Sequence, residues 1–168
     1  MAAIDQNGYA IQYASEEIRN DREIVKRSIS RAGCALRYIA EELKQDREIV
    51  MEAVNENAMA LADVCNYFGN DREIVSLAVN TDGNIIRFAS PELRNDKEIA
   101  MQALKKKGMS IKYLSENLRN DKEVAMQALQ SCGITGRSFG LYIHTKESPL
   151  DYLSESVRNE IEYEMNMR

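Results

Sequence analysis

A chain of 168 residues with 44% hydrophobic side chains and only two prolines is too apolar and too regular for a disordered polypeptide, and its length suits one domain. Its 22 basic and 27 acidic residues leave a net charge of −5, which excludes the strong positive field that general nucleic-acid binding requires. Three cysteines without paired spacing, a polar opening from Met1 to Gly8 and no run near the ~20 apolar residues that cross a bilayer fit a protein of a reducing cytosol.

Residues Ala2 to Gly8 match Leu77 to Gly83, so the chain opens in the middle of a repeating pattern, and its first stretch is expected to be the end of a helix that covers the stack. The phrase Asn20-Asp21-Arg22-Glu23-Ile24-Val25 returns as Gln45 to Val50, Asn70 to Val75, Asn95 to Ala100 and Asn120 to Ala125, every 25 residues. A fixed period in this range marks an array whose repeats cannot bury their apolar faces alone and must stack. Five full repeats follow at 8–32, 33–57, 58–82, 83–107 and 108–132, each opening with Gly except the third, which opens with Ala58.

Within a repeat, apolar residues at relative positions 0, 3 and 7 (Ile11, Ala14, Ile18 in the first) have helical and not strand spacing. The sequence Ser90-Pro91-Glu92 interrupts that segment, because Ser before Pro starts a helix and Pro breaks a helix interior. The expectation is a short helix of about two turns, then a tight turn or an extra helical turn. The second segment starts at the phrase, where the Asp present in all five copies is favoured over the preceding Asn as the helix cap. Ile24, Val25, Ser28 and Ile29 and their counterparts form a core-facing stripe. Gly33, Gly83, Gly108 and Gly133, with Asn57 in the second repeat, are expected to close these helices in the left-handed conformation.

After Cys132 the pattern fails, and it resumes at Leu150, Leu153 and Val157 after 14 extra residues. Residues 133–149 read as an insertion and 150–168 as a capping repeat, whose last helix, Glu160 to Arg168, has a wet outer face. The reading is all-α: one solenoid-like array of about six 25-residue helix-turn-helix repeats filling 1–168. A leucine-rich repeat of similar length would show closely spaced leucines and an Asn ladder, which are missing here.

The stretch Gly8 to Val25, Gly-x-x-Ile-x-Tyr-Ala-Ser-Glu-Glu-Ile-Arg-Asn-Asp-Arg-Glu-Ile-Val, resembles the repeat family called domain of unknown function 4116. The resemblance is close over 8–132 and partial over 150–168; the third repeat departs most, with Asp63 in the Tyr place. It implies tandem helical repeats of the kind found in bacterial, viral and protist proteins, some taken to be secreted effectors. No activity, cofactor or site residue comes with it.

No catalytic constellation is visible. His144 is the single histidine, so neither a His pair for a metal nor a Cys–His pair is present, and no metal or cofactor is expected. Carboxylates such as Glu16, Glu17, Glu41 and Glu42 recur in every repeat, as caps and solvated faces do. Two rows are more singular. Tyr13, Tyr38, Asp63, Phe88, Tyr113 and Tyr152 share one place, either packing between repeats or forming an exposed ladder. One position earlier stand Arg37, Arg87 and Lys112, with Gln12 and Ala62 completing that row. Charge also varies along the array: residues 33–82 carry a net −6 and residues 83–107 a net +3.

In the insertion, Phe139, Leu141, Tyr142 and Ile143 stand beside Arg137, His144 and Lys146, a mixture of anchors and charges that suits binding or, equally, a cap over the fifth repeat. The expected function is a non-enzymatic scaffold for a protein partner, with Arg37, Asp63, Arg87, Lys112, Arg137, Phe139, Tyr142, His144 and Lys146 as binding residues. One alternative is an acidic inhibitor or effector occupying the basic site of a nucleic-acid-processing or defence enzyme. Another is a reader of single-stranded RNA, opposed by the sequence pI of 5.1. No membrane partner is expected, homodimerisation through the stack ends is a further option, and the compartment expected is the cytosol, its own or a host's.

Overall fold

The structure is a computed structural model that describes residues 2–134 and 147–166, and every regular element among them is a helix. By its internal contacts the chain divides into two compact bodies, residues 1–78 and 79–168.

The first body opens with the five-residue helix Ala2–Gln6, in the stretch whose match to Leu77–Gly83 predicts a helix end. Repeat one then shows the anatomy of the others: a 3-10 helix Gly8–Tyr13, a single α-turn Glu16–Arg19 and a long helix Arg22–Ile29. The first segment is thus two short pieces, and the extra helical turn is the option realised. Asn7 starts the 3-10 piece by accepting a hydrogen bond from the Tyr9 amide, and Ala14 ends it in an extended conformation. Repeat two repeats the plan with Gly33–Tyr38, Leu43–Gln45 and Arg47–Glu56. Ile11 and Leu36 fill the core from the first pieces, while Val25, Ile29, Ile49, Val50, Ala53 and Val54 fill it from the long helices. The backbones are also joined directly, since the Ala40 amide donates to the Arg19 carbonyl at 3.0 Å.

Repeat three departs in structure where it departs in sequence. Without the Ala-Ser step its opening segment becomes Ala58–Ala60 followed by the helix Leu61–Phe68, kinked at Val64 (φ −133°, ψ 15°).

In the second body, repeats four and five return to the plan with Gly83–Phe88, Pro91–Arg94 and Lys97–Lys106, then Gly108–Tyr113, Glu116–Arg119 and Lys122–Ser131. Ser90 caps the turn that Pro91 opens, as the Ser-Pro-Glu sequence predicts. The last repeat has the 3-10 helix Pro149–Tyr152 and one continuous helix Glu155–Asn166. The sequence-based start at Glu160 is therefore late. Where other repeats carry an Asp that caps and interrupts, this one has Glu160, and the short and long helices fuse. Val157 and Ile161 face its core, and Tyr163 is exposed.

Of the residues expected to close helices, Gly133 does so, left-handed at φ +73° just past Lys122–Ser131; Gly33, Gly83 and Gly108 do not take that conformation, and Asn57 sits at φ −151° as the cap of the next 3-10 helix. The reason for glycine is space. A Cβ on Gly33 would lie 2.4 Å from the Ala53 carbonyl oxygen, and one on Gly8, Gly83 or Gly108 would lie 2.2 Å from the carbonyl oxygen of Ser28, Ala103 or Ala128. Each opening piece thus rests its backbone against the long helix of its own repeat. In repeat one the Ser28 hydroxyl turns that contact into a hydrogen bond, donating to the Gly8 carbonyl at 2.6 Å.

Candidate functional site

The organising phrase is used up in capping and stacking. Asp21, Asp46, Asp71, Asp96 and Asp121 each accept hydrogen bonds from first-turn amides of the following helix, such as Glu73 and Ile74 onto Asp71 at 3.1 Å. This is the capping expected of Asp over Asn.

The basic residue after the cap reaches into the next repeat. Arg22 pairs with Asp46 and Glu48, and Arg47 with Asp71 and Glu73, in the first body. Lys97 pairs with Asp121 and Glu123, and Lys122 with Glu160 and Glu164, in the second. Three consecutive residues, acid, base and acid, therefore form a rung that accepts from the repeat before and donates to the repeat after. Hydrogen bonds from Lys26 and Arg22 hold the Glu48 carboxyl below its usual range. Arg47 does the same to Asp71, and Lys97 to Asp121. The sequence signal was present, an Asp-Arg-Glu or Asp-Lys-Glu step at each period, yet composition alone did not show that the pairing ran between repeats.

Among the proposed binding residues, the structure joins Arg37 to Asp63. The Arg37 Nε donates to Asp63 Oδ1 at 3.1 Å, and this raises the guanidinium pKa. Asp63 thus stands in the aromatic place as an acid that meets the cation of the preceding repeat. In the second body Arg87 lies over the Phe88 ring, 4.6 Å from its centre, and Lys112 over Tyr113 at 5.3 Å. The rings Tyr38, Phe88, Tyr113 and Tyr152 are half-buried, and Tyr13, preceded by Gln12 in the cation row, is 85% exposed. The aromatic place therefore sits at the edge of the core. Arg137, Phe139, Tyr142, His144 and Lys146 lie outside the described residues.

Elsewhere the second body has a polar cleft of about 220 Å³ between repeats five and six, bounded by Glu116, Arg119, Asn120 and the stretch Asp151 to Ser154. Asn120 already accepts a hydrogen bond there from the Ser154 amide, 3.2 Å. Among the described residues no three His, Cys, Asp or Glu side chains are grouped to hold a metal ion, and no helix is long and apolar enough to cross a membrane. Cys34, Cys65 and Cys132 are free, half-buried thiols.

The repeat length, the glycine contacts and the recurring rungs define one repeating module, and the model of the family described as Domain of unknown function (DUF4116) matches residues 1–44, 22–69, 46–94, 71–119 and 96–158. The chain belongs to this family. Successive DUF4116 matches overlap because each spans more than one 25-residue period, which agrees with a module completed only by its neighbour. No curated protein and no solved structure matches the chain.

Proposed function

We propose that this DUF4116 array is a scaffold that binds another protein and performs no chemistry itself. The observation that supports the reading is a division of labour between residue rows. The capping Asp, the basic residue after it and the Glu that follows serve stacking, whereas Arg87 and Lys112 contribute to neither cap nor rung, and Arg37 of the same row meets Asp63 of the next repeat outside the rungs. Repeat scaffolds present partners with the residues that stacking leaves over.

The acidic stretch 33–82 is a weaker anchor for an inhibitor that mimics phosphate. Asp46, Glu48, Asp63, Asp71 and Glu73 already have cationic partners, and Glu41 has Lys44 and the Tyr67 hydroxyl. The test is affinity capture with the full chain from its native cell or a host cell, with and without nuclease, read by mass spectrometry. The scaffold reading expects a protein that stays bound after nuclease treatment. Recovery of nucleic acid alone, or of nothing above an unrelated helical bait, contradicts it.

A further inference from the structure

Among the described residues, many basic side chains end on a carboxylate, those of the rungs foremost. Arg22, Lys26 and Arg47 do so in the first body, and Lys97 and Lys122 in the second. Arg87 and Lys112 do not. Each stands over the ring that follows it in sequence, and among the described residues neither meets a carboxylate. A cation resting on a ring is held in position while its outer side stays open to an anion, so the anion gains a partner whose ordering cost is already partly met.

The first body shows what such a cation accepts. In the same place of repeat two, Arg37 binds the carboxylate of Asp63, which stands where the next aromatic would be. The row thus carries within the chain an example of its own ligand chemistry. Local charge agrees around Arg87, since residues 83–107 hold a net +3 in a chain of net −5. We propose that Arg87 and Lys112 form a docking row for an extended acidic segment of a partner protein, one carboxylate to each repeat.

The spacing specifies that segment further. Packed helices lie about 8–10 Å apart, and a polyproline II strand advances about 3.1 Å per residue, so acidic residues three apart meet successive cations. The next place in the row is Asp151, exposed, with Oδ2 accepting from the Ser148 amide at 2.8 Å. It repels a third acid, so the acidic register ends after two. A single-stranded nucleic acid also offers regularly spaced anions, but base stacking needs free ring faces. Here both rings are half-buried and one face of each already carries a cation.

The proposal rests on the scaffold reading and names its partner's chemistry. The experiment measures fluorescence anisotropy of the full chain with a labelled Glu-Ala-Pro repeat peptide of about twelve residues, which places an acid every third residue. An isomer of the same composition with contiguous glutamates and a labelled oligouridine are run beside it. The expected result is binding of the spaced peptide, at least about tenfold weaker binding of the isomer, and at least about tenfold loss in Arg87→Ala/Lys112→Ala with unchanged far-UV circular dichroism. Absent binding, equal binding of both peptides, or binding indifferent to the double substitution overturns the proposal. Oligouridine binding that the double substitution abolishes, without peptide binding, overturns it in favour of nucleic acid. If a cellular partner is captured equally by the native and doubly substituted chains, the scaffold reading stands and the row loses its role.

Discussion

A methyl group at Gly108 would sit 2.2 Å from the Ala128 carbonyl oxygen and 2.6 Å from the Cys132 sulfur, so the backbone there must be bare. Gly108→Ala is expected to cost about 1–3 kcal/mol through overpacking, a fall of several degrees in Tm for a chain of this size. Gly133 is glycine for another reason: its surroundings are open, but φ is +73°. Gly133→Ala should therefore cost about 1–2 kcal/mol, through backbone strain alone. A thermal melt of the two variants beside a Gly133→Asn control, which tolerates positive φ, checks both, because Asn should restore most of the loss at 133. The recurrence of glycine was plain in the sequence, but its cause was not. Close approach and positive φ select the same residue, and only the long helix of the same repeat, twenty positions on, tells them apart.

Among the elements, the long helices are the most legible. Asp in all five copies followed by an apolar stripe gave their starts, and Val25, Ile49, Val50, Ala53, Val54, Ile99, Ala100 and Val124 are buried as that stripe requires. The division of the first segment was harder to read, because a 3-10 piece, a turn and a single α-turn place apolar residues at 0, 3 and 7 as one helix would. The late helix start was missed for a related reason: without a capping Asp, nothing in the periodicity marks where the short helix ends. Asp71→Ala removes a cap and the acceptor of Arg47 together, and a loss of about 1 kcal/mol is expected from the cap alone. That is about 2–4 °C in Tm. The carboxyls of Glu48, Asp71 and Asp121 are held below their usual range, first of all by hydrogen bonds from Lys26, Arg47 and Lys97 respectively. Each therefore stabilises the fold above the unfolded carboxyl pKa of about 4 and loses that contribution as pH falls through the lower folded value. Denaturant midpoints should be level from about pH 7 to 5 and fall below about pH 4. A midpoint that rises on acidification would contradict the rungs.

Taken as a whole molecule, the chain showed its architecture in its period, while its function was legible only as a remainder. Arg37, Arg87 and Lys112 were singled out because they recur in one place of the repeat, and Asp63 because it is the exception in the aromatic place beside it; Arg37 and Asp63 pair between repeats, whereas Arg87 and Lys112 rest on the rings that follow them. What the sequence did not show was that Asp63, the exception in the aromatic place, is the partner of Arg37. A pairing across 26 residues becomes visible only when the period is applied to charge as well as to apolar residues.

The phrase is assigned to stability and the row to a partner, and binding of the spaced acidic peptide by Asp71→Ala and by Arg87→Ala/Lys112→Ala, measured side by side, tests that assignment most directly. Asp71→Ala, although it melts about 2–4 °C below the native chain, is expected to bind the peptide as the native chain does, while the doubly substituted chain loses at least about tenfold in affinity. If Asp71→Ala loses as much affinity as the doubly substituted chain, or the doubly substituted chain binds as the native chain does, the row holds no partner and the account is wrong.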